Sequence, residues 1–189
     1  MTTLLSDLPD DVLLLILDKL DTRDAVRCSL LSRRWSRVPG MLANIELDVD
    51  SFAPDPDDDH DDGFTSTLSE SARSNHAMVR AVQSILAAHE SRHAIRRLGL
   101  SFFSRDESVG IVRAVDDAMA RGRRIHDLWF TVSSEKPELL CTGRDVARQG
   151  ARLASYRDKY PRVFAGLTRL HVECVKLGAA RVSAVSEMI

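Results

Sequence analysis

Apolar residues recur at helical spacing over the first forty positions, and extended and helical patterns alternate after them. Val12, Leu13, Ile16, Leu17 and Leu20 form one stripe, preceded by Pro9 in a first-turn position. Asp10 and Asp11 suit the positive end of that helix dipole. Thr22 is a candidate N-cap for a second helix carrying Ala25, Val26, Leu30 and Leu31. Ser32 can open a third, with Trp35 and Val38, which stops at Pro39-Gly40. Residues 1–40 thus read as a unit of three short helices.

From Leu42 onward a second pattern, apolar-x-x-apolar-x-apolar, occurs four times: Leu42/Ile45/Leu47, Ile95/Leu98/Leu100, Ile125/Leu128/Phe130 and Leu167/Leu170/Val172. Such a pattern is the strand-and-turn signature of a leucine-rich repeat, whose three apolar positions share one core. Helices fall between the copies. Met78, Val79, Val82, Ile85 and Leu86 mark one. Ile111, Val112, Val115, Ala118 and Met119 mark another, with Ser104-x-x-Glu107 as a capping box and a stop near Gly122. A weaker pattern runs from Arg144 to Tyr160, before Pro161. The repeat starts lie 53, 30 and 42 residues apart, against about 20–29 for a regular repeat.

The wide first spacing holds a break in composition. Ser51 to Gly63 contains Pro54, Pro56 and six aspartates between Asp55 and Asp62, too much like charge to bury a core. The expected organisation is therefore a helical unit over 1–40, a first repeat-like strand over 41–48, an acidic disordered loop over 49–75 and a repeat-like region over 76–189. In fold class this is α+β to α/β, a three-helix unit followed by a short β-α array.

Two consequences bear on function. Leu14 and Leu15 fall outside the apolar face of the first helix, and a unit of this size cannot bury apolar groups on every side. Leaving each exposed forgoes roughly 1.5–3 kcal/mol, so the surplus face either docks another chain or packs on the repeats. In the array, residues between the apolar positions face outward: Glu46 and Asp48, Gly99 and Ser101, Trp129 and Thr131, His171 and Glu173. Trp129 can anchor a partner there, with His171 and Glu173 beside it, or it can pack under a loop or neighbouring helix.

Composition narrows the classes. A formal net charge of −2 and a pI near 6.3 give no field favouring nucleic acid or an anionic membrane. Three scattered cysteines, Cys28, Cys141 and Cys174, argue against a disulfide framework and suit a reducing compartment. The acidic N-terminus lacks the basic region of a signal peptide, and Val12 to Leu17 is far short of the ~20 residues that span a bilayer. A soluble protein of the cytoplasm or nucleus is expected.

Three constellations mimic other chemistry. His89-Glu90-Ser91-Arg92-His93 fits H-E-x-x-H, but it stands at a helix end two residues before a strand, with no third zinc ligand in an extended signature. The acidic run places Asp58, His60, Asp62 and Gly63 like a calcium loop, yet Ser69 occupies its last ligand position. Arg33, Arg34, Trp35 and Arg37 suggest a DNA-reading helix, opposed by the aspartates of the same unit. A phosphate-binding Gly-rich loop, a G-x-S-x-G elbow and a CxxC pair are all missing from the sequence, so neither enzyme activity nor a cofactor is expected.

The run from Leu8-Pro9-Asp10-Asp11-Val12 through Asp21-Thr22-Arg23-Asp24-Ala25-Val26-Arg27 to Leu31-Ser32-Arg33-Arg34-Trp35 closely resembles the plant F-box family. Leu167-Thr168-Arg169-Leu170-His171-Val172-Glu173-Cys174-Val175-Lys176-Leu177 resembles the repeat half of plant F-box/leucine-rich-repeat proteins. The resemblance implies a non-catalytic subunit of a cullin-RING (SCF-type) ubiquitin ligase. It would bind a Skp-family adaptor, and through it the cullin and RING subunits, and hold a protein substrate. Leu8 and Pro9 match the family's adaptor-contacting opening, and Leu14, Leu15 and Trp35 are further adaptor-binding candidates. The apolar tail Val182 to Ile189 lacks the polar cap that repeat arrays need. It reads as a truncated product or an incomplete gene model. The alternatives are an adaptor-binding protein without a substrate site and a plain interaction scaffold.

Overall fold

A computed structural model describes residues 8–9, 12–13, 41–53, 65–89, 94–135 and 141–172, with residues 65–69 described by their backbone alone. It contains four strands, β1 (Asn44–Asp48), β2 (Ile95–Phe103), β3 (Ile125–Ser133) and β4 (Leu167–Val172). Helices α1 (Thr65–Ala88), α2 (Val109–Ala120), α3 (Gly143–Lys159) and α4 (Pro161–Ala165) fall between them. Every strand pair is parallel and the order is β1-β2-β3-β4, so each strand lies beside its sequence neighbour. Parallel neighbours cannot be joined by a tight hairpin, and the helical segments supply the required crossovers.

The apolar ladders explain the register. Ile45 pairs with Leu98, Leu98 with Leu128 and Leu128 with Leu167. One step along, Leu47, Leu100, Phe130 and Leu170 form a second row, and Phe102, Val132 and Val172 a third. Slipping any strand by one residue would turn its whole apolar set to the other face. The rows are buried except at the last strand, where Leu170 and Val172 are only partly covered. Phe102 and Phe130 meet edge to face, with centroids 5.6 Å apart, a geometry worth about 0.5–1.5 kcal/mol beyond area burial.

The helices close this core. Met78, Val82, Ile85 and Leu86 of α1 and Ile111, Val112, Val115 and Ala118 of α2 are all buried in it. Helix α2 ends in a Schellman motif. Gly122 adopts φ +81°, its N–H donates to Met119 O at 3.0 Å, and the Arg123 N–H reaches Ala118 O at 3.1 Å. At the start of α3, Asp145 Oδ2 accepts from the Thr142 backbone N–H at 2.9 Å and from its hydroxyl at 2.7 Å. Leu13, in the short helical turn of residues 12–13, is fully buried in the same cluster as the sheet, and Leu8 packs partly against it.

Several expectations need correction. Helix α1 starts at Thr65, and Val49–Phe52 forms a 3-10 turn, so the stretch 49–75 is not one continuous loop. The first turns of α1 escape detection because Ser71, Ser74 and Asn75 occupy its core-facing positions, and all three are buried. The Ser104/Glu107 capping box does not form. Instead Asp106–Ser108 make a 3-10 turn, Glu107 accepts from Arg105 Nε at 3.2 Å, and the Ser108 hydroxyl donates to Arg105 O at 2.5 Å. Cys141 is disulfide-bonded, where the scattered cysteines argued against a disulfide framework. The three short N-terminal helices beyond residue 13, the aspartate run and the calcium-like pattern lie outside the described residues.

Candidate interaction face

The sheet has one face packed on the helices and one open. Glu46, Gly99, Trp129 and Arg169 make one row across the open face, and Asp48, Ser101, Thr131 and His171 make the next. The pairing expected from the repeat pattern, with His171 and Glu173 following Trp129 and Thr131, holds only up to β3. From Trp129 onward β4 stands two residues out of the repeat alignment, and a one-residue bulge between Leu128 and Trp129 lets Leu167 take the place beside Leu128. Arg169 therefore becomes the neighbour of Trp129, and exposed His171 stands beside Thr131. Glu173 lies outside the described residues.

Trp129 is the centre of this face. Its indole lies across Gly99 so closely that a Cβ added there would sit 2.3 Å from Nε1 and 2.5 Å from Cε2. Only a glycine leaves room for this side chain. On the other side the Arg169 guanidinium stacks over the ring, 5.4 Å from its centroid, a contact worth about 0.5–1 kcal/mol at an exposed site. Trp129 thus packs on neighbouring strands and stays partly exposed. Its Nε1 is buried and has no hydrogen-bond acceptor.

Beside the indole a cavity of about 470 Å³ opens over β1 to β3. Glu46, Asp48 and Asp50 form one wall, Trp129 another, and Ser101 and Thr131 line the floor. No basic side chain is among its described lining residues. The carboxylates are held in place by local contacts. Asp48 Oδ1 accepts from the Asp50 N–H at 2.9 Å, capping the 3-10 turn, and Glu46 lies 3.6 Å from Arg97. Arg97 also reaches Asp127 at 3.5 Å. The Thr168 hydroxyl, joined by the Arg97 guanidinium, holds the Asp127 carboxyl below the usual carboxylate range, against the opposing effect of desolvation.

The remaining candidates divide by position. Pro9 is exposed, and its carbonyl accepts from the N–H groups of Val12 and Leu13, both at 3.1 Å. Leu8 is partly buried on the core. Leu14, Leu15 and Trp35 lie outside the described residues, as do Arg33, Arg34 and Arg37. Of the zinc-like pattern, His89 is fully buried, with Nε2 3.3 Å from Leu42 O, while Glu90 and His93 fall outside the description. His89 is therefore a core-facing histidine at the end of α1. Among the described residues no group of three or more His, Cys, Asp or Glu is placed to hold a metal ion. No described helix is long and apolar enough to cross a membrane.

Sequence reasoning missed Arg169 and Asp50 as members of the face. Asp50 continues the outward parity of Glu46 and Asp48, so the alternation itself could have found it. Arg169 shares the outward parity of His171, but its place beside Trp129 is set by the β4 register, which leaves no mark in the apolar pattern.

Comparison with known proteins agrees with the N-terminal pattern. Residues 5–42 match the F-box domain family. An F-box protein of Arabidopsis thaliana is 30% identical over 122 residues, covering 64% of this chain and 26% of that protein. An F-box/FBD/LRR-repeat protein of the same plant is 34% identical over 120 residues, covering 64% and 24%. A putative FBD-associated F-box protein, also from Arabidopsis thaliana, is 51% identical over 47 residues, covering 25% and 11%. The aligned region spans about a quarter of the length of the first two relatives. No solved structure matches the chain. The F-box match over residues 5–42, together with relatives named for F-box and leucine-rich-repeat regions, makes this chain similar to the plant F-box/leucine-rich-repeat-like family.

Proposed function

We propose that the chain is the substrate-recruiting subunit of a cullin-RING (SCF-type) ubiquitin ligase. The observation that carries this reading is the F-box match over residues 5–42, followed directly by a parallel β-α array in sequence order. In this reading residues 1–40 form the three-helix F-box and dock a Skp-family adaptor, which connects to the cullin and RING subunits. The region from β1 onward is the leucine-rich-repeat-like recognition domain. The subunit does no chemistry. It raises the effective concentration of substrate lysines near a charged ubiquitin-conjugating enzyme.

The proposed adaptor contacts are Leu8, Pro9, Leu14, Leu15 and Trp35. Exposed Pro9 supports the assignment, since it is free to meet a partner while Leu13, four residues on, is buried in the core. That division lets one short helix face two ways, toward the repeat core and toward another chain. The proposed substrate face is the open side of the sheet, centred on Trp129 and including His171 and Glu173.

The test is co-purification with a Skp-family adaptor. Wild type should form a stable complex, and Leu8→Ala/Pro9→Ala should lose it while keeping its circular dichroism spectrum. Leu8 also packs on the core, so Pro9→Glu serves as a second variant with the apolar contact intact. Retained binding by both folded variants would remove these residues from the interface, and a folded wild type that binds no adaptor would overturn the reading.

A further inference from the structure

The disulfide at Cys141 has a partner that the strand register identifies. The chain has two other cysteines, Cys28 and Cys174. Cys141 lies between β3 and α3, one residue before the Thr142 N-cap, and its Sγ stands 3.3 Å from the Ser134 Oγ. Ser134 directly follows β3, on the sequence parity of the buried Leu128, Phe130 and Val132.

Strands β3 and β4 are parallel, with Thr131 beside His171 and Val132 beside Val172. Two steps further, the same register sets position 174 beside Ser134, on the parity of Leu170 and Val172. Neighbouring strands lie about 4.8 Å apart, and a disulfide joins Cα atoms roughly 4.4–6.8 Å apart. The Cys141 sulfur, in contact with Ser134, is therefore where the register delivers Cys174. Cys28 belongs to the segment that leads into β1 through Leu42, at the opposite edge of the sheet and the amino end of its strands, whereas Cys141 stands at the carboxyl end.

We infer that Cys141 is joined to Cys174, and that the bond is a thiol-sensitive latch on the unit formed by α3, α4 and β4. It closes a loop over those three elements and pins the chain leaving β4 to the carboxyl end of β3. Ser133 and Ser134, at that end, line both the cavity beside Trp129 and a smaller one of about 90 Å³ against α3. The latch thus borders the candidate interaction face, and it holds whatever partner that face receives. Cys141 is partly exposed and open to a small thiol.

A low-molecular-weight thiol opens the latch by exchange. Its thiolate attacks one sulfur, forms a mixed disulfide and expels the other cysteine as a thiolate, which takes up a proton. A second thiol attacks the mixed disulfide and releases the remaining cysteine. Two electrons pass to the two cysteines, and two small thiols become one small disulfide, which drives the reverse reaction.

The experiment uses the full chain equilibrated with oxidised glutathione, its free thiols then blocked by N-ethylmaleimide in denaturant. Trypsin puts the three cysteines in separate peptides, 28–33, 125–144 and 170–176, because Lys136 precedes Pro137 and is not cleaved. Non-reducing mass spectrometry should find 125–144 linked to 170–176 and Cys28 blocked. Thermal unfolding reads the latch itself. From the entropy of closing the loop between 141 and 174, reduction with dithiothreitol should lower Tm by roughly 5–15 °C, and oxidised glutathione should restore it. Cys28→Ser should keep that shift, while Cys141→Ser and Cys174→Ser should each unfold at the reduced Tm with or without reductant. A link to peptide 28–33, blocking of all three cysteines, or a Tm that reduction does not move would overturn the inference.

Discussion

Replacing Gly99 with alanine should expel the Trp129 indole from the sheet. A Cβ at position 99 would stand 2.3, 2.5 and 2.8 Å from Nε1, Cε2 and Cζ2, distances that no side chain tolerates. Strand β2 is hydrogen-bonded on both sides and cannot give way, so the indole must swing off. A tryptophan buries ~150–250 Å². If about half of ~200 Å² returns to water, the loss at ~25 cal/mol per Å² is about 2.5 kcal/mol. Against that, alanine is better than glycine within a strand by roughly 0.5–1 kcal/mol. The net cost is about 1.5–2 kcal/mol, equivalent to a fall in Tm of roughly 3–8 °C for a chain of this size.

The assay is a double-mutant cycle by chemical denaturation, with Gly99→Ala, Trp129→Ala and the pair. Once the indole is absent, the three atoms nearest the added methyl are gone and it contributes chiefly its strand preference. Gly99→Ala should therefore destabilise wild type by about 1.5–2 kcal/mol and be neutral or stabilising by up to ~1 kcal/mol in the Trp129→Ala background. A Gly99→Ala penalty of the same size in both backgrounds would refute the reasoning. It would show that position 99 rejects a side chain for a cause other than the indole.

Other changes probe the framework. Asn75 Nδ2 donates to Phe103 O at 3.0 Å and its Oδ1 accepts from the Phe103 N–H at 3.2 Å, so Asn75→Leu should cost about 1–3 kcal/mol in denaturation, both side-chain bonds being lost while Phe103 O keeps the Arg105 N–H. Gly122→Ala should cost about 1 kcal/mol, since φ is +81° and nothing crowds the position; a calorimetric Tm unchanged within error would contradict this. Burial pushes the Tyr156 phenol above its usual range, against the opposing Ser108 hydrogen bond. Its folded pKa exceeds the unfolded value, so its contribution is complete below pH 10.0 and is lost as pH rises through the folded pKa. Tyr156→Phe should therefore cost about 1–2 kcal/mol at neutral pH, from its bonds with Ser108 and Arg105 O, and should flatten the alkaline limb of the stability profile.

Strand placement was legible because four apolar patterns mark it directly, and the buried rows Ile45/Leu98/Leu128 and Leu47/Leu100/Phe130 are those the patterns name. The helices were legible only where their core-facing residues are apolar. Positions 71, 74, 75, 78, 82, 85 and 86 of α1, with 89 just past its end, make one continuous buried stripe, but four of these eight are Ser, Ser, Asn and His. A reading based on hydrophobic period sees only the four between Met78 and Leu86 and starts the helix late. These polar residues fit the core because the protein supplies their partners: Asn75 pairs with the Phe103 backbone, the Ser74 hydroxyl donates to Phe52 O at 3.3 Å, and the His89 ring meets Leu42 O. Periodicity cannot reveal partners 22 to 47 residues away.

The same limit explains the candidate face. Outward parity follows from the strand period, so Glu46, Asp48, Ser101, Trp129 and Thr131 were legible as a set. Their chemistry depends on what lies beside each one, and that is decided by register. On β2 the register leaves Gly99 under the indole, while on β4 the two-residue offset brings Arg169 to its other side. One missing side chain and one shifted strand together turn an exposed tryptophan into a wedged ring with an acidic cavity next to it. If the shift were absent, the repeat pattern would put His171 beside Trp129 and leave Arg169 one pleat away. The ring would then lose its guanidinium partner and its second wall. The β4 register is therefore as much a part of the face as the residues on it. Deleting Thr168, the extra residue of the bulge, is expected to disturb the Arg169 contact while leaving the β1–β2 pairing in place.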